Sequence, residues 1–87
     1  MNNLLSDQDT QSLQDILMTQ LGVRRDQLTP GARIKEDLGA DSLAIMQIIM
    51  AIEDQFGVSI PDDAWDRVFT VQDTFEVLGQ YLKAEAR

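Results

Sequence analysis

The chain is 87 residues long, the length of one small domain and too short for two cores, and with 44% apolar residues it can hold one modest core and no deep internal active site. Cysteine and histidine are both absent, which removes disulfides, thiolate metal sites, the commonest zinc ligand and the commonest general base, so intrinsic catalysis is not expected. A net charge of −8, from 15 acidic and 7 basic residues, argues against nucleic acid and anionic membranes and for partners with basic surfaces.

In chain order, residues 1–7 lack the basic start and apolar stretch of a secretion signal, and no apolar run approaches the ~18 residues of a membrane span, so a cytoplasmic protein is expected. Ser6, Asp7 and Asp9 are capping candidates for a first helix over 7–21, whose Leu13, Ile16, Leu17 and Leu21 share one face, with Gly22 as its stop. Between Val23 and Ala40 the pattern dissolves around Thr29-Pro30-Gly31 and Gly39, while Leu28, Ala32, Ile34 and Leu38 still need burial. That predicts a long loop pinned to the core.

Asp41 offers an N-cap for a helix over 41–56, and Gly57 supplies a left-handed C-terminal position. After the extended Val58-Ser59-Ile60-Pro61, the acids Asp62 and Asp63 open a short helix over 62–68 that carries Ala64, Trp65, Val68 and Phe69 inward. Thr70 and Asp73 have the spacing of a capping box for a last helix over 71–84, striped by Val71, Phe75, Leu78 and Leu82. The fold class is all-α, one domain over 1–87: a small bundle of three main helices and one short helix with a long first loop.

The second helix is unusual. From Leu43 to Ile52 its only polar residue is Gln47, so apolar side chains point all round it, and a bundle this small cannot bury them all. Ile45, Ile48, Ile49, Ile52 and Phe56 form the expected core stripe. Leu43, Met46 and Met50 fall opposite, with Gln47 and Asp54, as an apolar strip rimmed by acids that suits a protein docking surface. The alternative is that Met46 and Met50 are core beneath the loop or a neighbouring helix. The acids Glu36, Asp37, Asp41, Glu53, Asp54, Asp62, Asp63 and Asp66 fall in one block free of Lys and Arg, which therefore holds the net charge. Ser42 follows the cap, where free amides and the helix dipole favour a phosphate on its oxygen. Without histidine it is a poor hydrolase nucleophile, and an ordinary first-turn serine is the plainer reading.

The string Glu36-Asp37-Leu38-Gly39-Ala40-Asp41-Ser42-Leu43, the apolar helix ending Ala51-Ile52-Glu53-Asp54-Gln55-Phe56, and Ile60-Pro61-Asp62 closely resemble the acyl carrier proteins, over nearly the whole span from Leu13 to Leu82. The resemblance implies that Ser42 carries 4′-phosphopantetheine, loaded from coenzyme A by a phosphopantetheinyl transferase, and that its thiol holds acyl groups as thioesters. It implies a partner surface of Leu38, Asp41, Leu43, Met46, Gln47, Met50, Glu53 and Asp54, and an acyl cavity lined by Ile34, Ile48, Ile52, Phe56, Ile60, Trp65, Val68 and Leu78. Partners would be acyl-loading, ketosynthase-type or acyltransferase enzymes with basic docking patches, served by a free-standing monomeric carrier that is not itself an enzyme and binds no metal.

Three positions depart from the family pattern. Ala44 and Gln47 stand where fatty-acid carriers usually have acids, which weakens the case for ordinary fatty-acid synthesis and leaves a fatty-acid, polyketide or specialised acyl pathway as the expected setting. Trp65 stands where the family commonly has a small alanine, implying a narrower or differently shaped cavity. The competing reading is an acidic helical adaptor without an arm. A cation-binding domain is disfavoured, since Asp62-Asp63 and Glu53-Asp54 lack the spacing of a calcium loop.

Overall fold

A computed structural model describes the backbone of residues 5–85 and the side chains of residues 5–82. Its helices are α1 Asp7–Leu21, α2 Ser42–Phe56, α3 Asp62–Trp65 and α4 Val71–Glu85, and no strand is present among the described residues. The helix ends follow from local chemistry. Ser6 Oγ accepts the Asp9 N–H (3.1 Å) at the start of α1, and Asp41 Oδ1 accepts the Ala44 N–H (2.8 Å) at the start of α2. Gly57 ends α2 at φ 65°, a conformation that side-chain-bearing residues rarely adopt, with its N–H on the Glu53 carbonyl (2.9 Å).

The capping box at α4 forms as its spacing predicts. Thr70 Oγ1 accepts the Asp73 N–H (3.2 Å), while Asp73 Oδ2 accepts the N–H groups of Thr70 (3.1 Å) and Phe69 (3.0 Å). The short helix is shorter than predicted, ending at Trp65 and not at 68. The Val68 N–H reaches back only three residues, to the Trp65 carbonyl (3.1 Å), and the chain then opens out to enter the Phe69–Thr70 segment. Periodicity also misses a 3₁₀ turn, Arg25–Gln27, anchored where the Arg25 guanidinium donates to Gln14 and Asp15 of α1.

Backbone hydrogen bonds fasten the long loop to α4. Ile34 N–H donates to the Phe69 carbonyl (2.9 Å), Val71 N–H to Ala32 (3.0 Å) and Gln72 N–H to Pro30 (3.1 Å). An antiparallel bridge joins Arg33 and Thr70. The loop's Leu28, Ala32, Ile34 and Leu38 are buried, and all but Ile34 join one cluster with Leu13 and Leu17 of α1, Ile48 and Ile52 of α2, Ile60 and Leu78. Packing of α1 on α2 supplies the centre of that core.

Because Asp73 serves two backbone donors at once, Asp73→Ala should lower stability by about 1–2 kcal/mol. Urea denaturation should record a lower midpoint with an unchanged slope, whereas Gln72→Ala, at an exposed neighbour, should not move it.

Candidate functional site

Ser42 is the first residue of α2 and is exposed. The helix start organises the groups around it. Ala44 N–H is taken by the Asp41 carboxylate and Ile45 N–H by the Asp41 carbonyl (3.0 Å). The N–H groups of Ser42 and Leu43 precede the first intrahelical bond, so the positive end of the helix dipole is open at the serine oxygen.

Beside Ser42 lies a pocket of about 620 Å³ between the loop, α2, α3 and the start of α4. Ile45, Ile48, Ile49, Trp65 and Val68 give it an apolar wall, and Lys35, Glu36, Asp62 and Asp66 bring charge to it. Ser42, Ile45, Met46 and Ile49 follow the i, i+3, i+4, i+7 spacing of one helix face, which is why the first two turns carry both the serine and the pocket wall.

Of the eight residues predicted to line a cavity, Ile34, Ile48, Trp65 and Val68 are on this wall. Ile52, Ile60 and Leu78 are instead buried in the main core, and Phe56 is half-buried against it. Ile52, Phe56 and Leu78 are farther along their helices than the residues that face the pocket, and Ile60 is in a linker that does not reach it. In their place the wall includes Ile45 and Ile49, assigned by pattern to the core but only half-buried, and the wholly buried Thr74, whose hydroxyl donates to the Thr70 carbonyl (3.3 Å). Their distance from Ser42 along α2 could have identified the two isoleucines; nothing in the local sequence singles out Thr74. Phe69, predicted to face inward, is 65% exposed at the rim, because the backbone bonds of Phe69 and Thr70 turn Val71 into the core in its stead.

The predicted docking residues divide. Leu43, Met46 and Met50 are 63%, 59% and 64% exposed, so the strip faces outward and the methionines are not core beneath the loop. Asp41, Gln47 and Asp54 are exposed beside it. Leu38 is not available to a partner. The turn closed by Leu38 N–H on the Arg33 carbonyl (3.0 Å) and Gly39 N–H on Lys35 (3.2 Å) folds it into the core at 8% exposure. Glu53 is half-buried and its Oε2 accepts the Ile60 N–H (3.0 Å), so it braces the link after α2 as well as bordering a shallow groove with Met50, Ala51 and Asp54. Among the described residues no acidic cluster could hold a metal ion, and no helix is long and apolar enough to cross a membrane.

An exposed serine at a helix start thus stands next to an apolar pocket and an outward apolar strip. The family described as the phosphopantetheine attachment site matches residues 11–81. The chain is 44% identical over 66 residues to an acyl carrier protein of Syntrophobacter fumaroxidans, covering 76% of this chain and 82% of that one. With an acyl carrier protein of Cyanidioschyzon merolae it shares 40% identity over 72 residues, or 83% and 79% of the two chains. Its fold is similar to that of the hexanoyl acyl carrier protein of the actinorhodin polyketide synthase from Streptomyces coelicolor, with a TM-score of 0.75 and 31% identity over 98% of this chain and 99% of that one. The acetyl form of the actinorhodin carrier gives a TM-score of 0.69 and 35% identity over the full length of both. This chain belongs to the acyl carrier proteins. Its prosthetic group is therefore covalently bound 4′-phosphopantetheine, and its role is that of a carrier.

The two sides of α2 should respond differently to charge. Met46→Glu, on the exposed strip, should leave the melting temperature within about 2 °C of the parent, while Ile52→Glu buries an unpaired carboxylate at a wholly enclosed position and should unfold the domain. Circular dichroism melts of the two variants make the comparison, and equal loss of structure would contradict this facing of the helix.

Proposed function

We propose that Ser42 is the attachment residue and that the pocket beside it receives the acyl chain. The observation that carries this reading is the exposed Ser42 side chain on the same helix face as the apolar pocket wall. In loading by a phosphopantetheinyl transferase, Ser42 Oγ gives its proton to a base of that enzyme and forms a bond to the phosphorus of coenzyme A, and the phosphoanhydride bond breaks to release the adenosine bisphosphate. The open N–H groups of Ser42 and Leu43 then favour the phosphodiester charge. When bound, the group supplies the thiol that this cysteine-free chain lacks, so that acyl groups can be held as thioesters.

The protein's own residues do the rest. Ile45, Ile48, Ile49 and Val68 offer apolar surface that withdraws an acyl chain from water, at about 0.8 kcal/mol for each methylene buried. Leu43, Met46 and Met50, bordered by Asp41 and Asp54, form the docking face for acyl-handling enzymes with basic patches, and the flexible methionines can repack against more than one partner. Ala44 and Gln47 reduce the negative charge of that face, which favours a polyketide-type or specialised acyl pathway over primary fatty-acid synthesis. The carriers of similar fold from the actinorhodin polyketide synthase support the same direction. The carrier acts as a monomer.

Ser42→Ala should keep the melting temperature of the parent, since its side chain is exposed, and should gain no mass on incubation with coenzyme A and a broad-specificity transferase. The parent should gain one phosphopantetheine. Modification of the alanine variant, or none of the parent, would overturn the assignment.

A further inference from the structure

The phosphodiester that joins the arm to the protein adds a negative charge to the most acidic part of the chain. Glu36, Asp62 and Asp66 line the pocket beside Ser42, and the Asp41 carboxylate, engaged with the Ala44 N–H, precedes the serine. Against these carboxylates the pocket has one cation among its lining residues, Lys35. The loop brings that residue to the start of α2. Ala40 N–H donates to the Ile34 carbonyl (3.0 Å) and Gly39 N–H to the Lys35 carbonyl (3.2 Å), so Lys35 lies alongside the segment that leads through Asp41 into Ser42. Lys35 is exposed, and among the described residues its ammonium has neither a hydrogen bond nor an ion pair; the ion pairs there are Arg24–Asp26 and Arg25–Asp15.

We propose that the Lys35 ammonium pairs with the phosphodiester of the arm and so holds the root of the arm at the mouth of the pocket. The inference rests on the reading of Ser42 as the attachment residue. Two contributions then act on one phosphate: the open amides of α2 favour its charge from the helix side, and Lys35 favours it from the loop side. The neighbouring carboxylates oppose both, and Lys35 is the charge that offsets them. A lysine suits this task, since a compact cation on a flexible four-carbon stem can follow a diester that turns about its own bonds. With its root held there, the rest of the arm starts from the pocket and not from the outer strip of Leu43 and Met50. The pair is exposed, so it is weak and salt screens it.

Lys35 and Lys83 are the only lysines in the chain, so isotopic labelling of lysine nitrogen gives two ammonium resonances, the second an internal reference. The protein, Lys35→Met and Lys35→Arg would be compared before and after loading with phosphopantetheine, each checked by intact mass. Loading should shift the Lys35 ammonium resonance and slow its hydrogen exchange with water about threefold, the scale of an exposed ion pair, and leave Lys83 unchanged. The phosphorus resonance of the diester should move in Lys35→Met and stay near the parent position in Lys35→Arg. In about 1 M salt, where the screening length falls to about 3 Å, the parent should approach the methionine variant. The ammonium measurement needs no variant to fold. A Lys35 ammonium that does not respond to loading, or responds no more than Lys83, would overturn the inference while shifts of the Ser42 and Leu43 amides upheld the attachment site. An arm found by peptide mapping on another residue would overturn the attachment reading itself.

Discussion

The short antiparallel pairing between residues 30–34 and 69–72 governs the rest of the structure. Its three backbone bonds turn the long connection between α1 and α2, residues 22–41, into a wall, and they fix where α4 begins. Ile34 is brought opposite α2, Val68 and Phe69 are carried to the pocket, and Val71 is turned into the core. The same pairing positions Thr70, whose capping box with Asp73 starts α4 at that point. Without it the pocket would lose one side, and the apolar side chains of the loop would have no place to pack.

That wall resolves the problem posed by a helix apolar on every side. Around α2, Ile48 and Ile52 are buried in the core, Ile45 and Ile49 line the pocket, and Leu43, Met46 and Met50 face solvent. Met46 borders both the pocket and the outer strip, and Ser42 stands at the end where these two surfaces meet. A chain held in the pocket and a partner seated on the strip would therefore adjoin across Met46. A carrier needs both at once: shelter for its cargo and a surface from which the cargo can be handed on.

Much of this was legible in the sequence because it rests on local chemistry. The caps at Ser6, Asp41 and Thr70, the glycine stops at Gly22 and Gly57, the main apolar stripes and the outward strip on α2 all follow from spacing and side-chain type. What was not legible depends on contacts between distant segments. Leu38 looked like part of a docking surface until the 33–39 turn folded it inward, and Phe69 looked like core until the backbone bonds of its segment left its ring at the rim. The pocket was harder still, since Ile45 and Ile52 have the same character and lie on the same side of α2. Nearness to Ser42 is the one cue the sequence offers, and it is the position of the loop and α3 that makes the first line the pocket and leaves the second enclosed.

The central claim is that one helix start both bears the arm and opens into the space that receives its cargo. Nuclear Overhauser contacts in the protein loaded at Ser42 with an isotopically labelled saturated acyl chain test it most directly. The account predicts contacts from the chain to the methyl groups of Ile45, Ile48, Ile49 and Val68, and none to Leu43 or Met50 on the outer strip. Contacts confined to the outer strip, or an acyl chain that meets no methyl group of the protein, would contradict it.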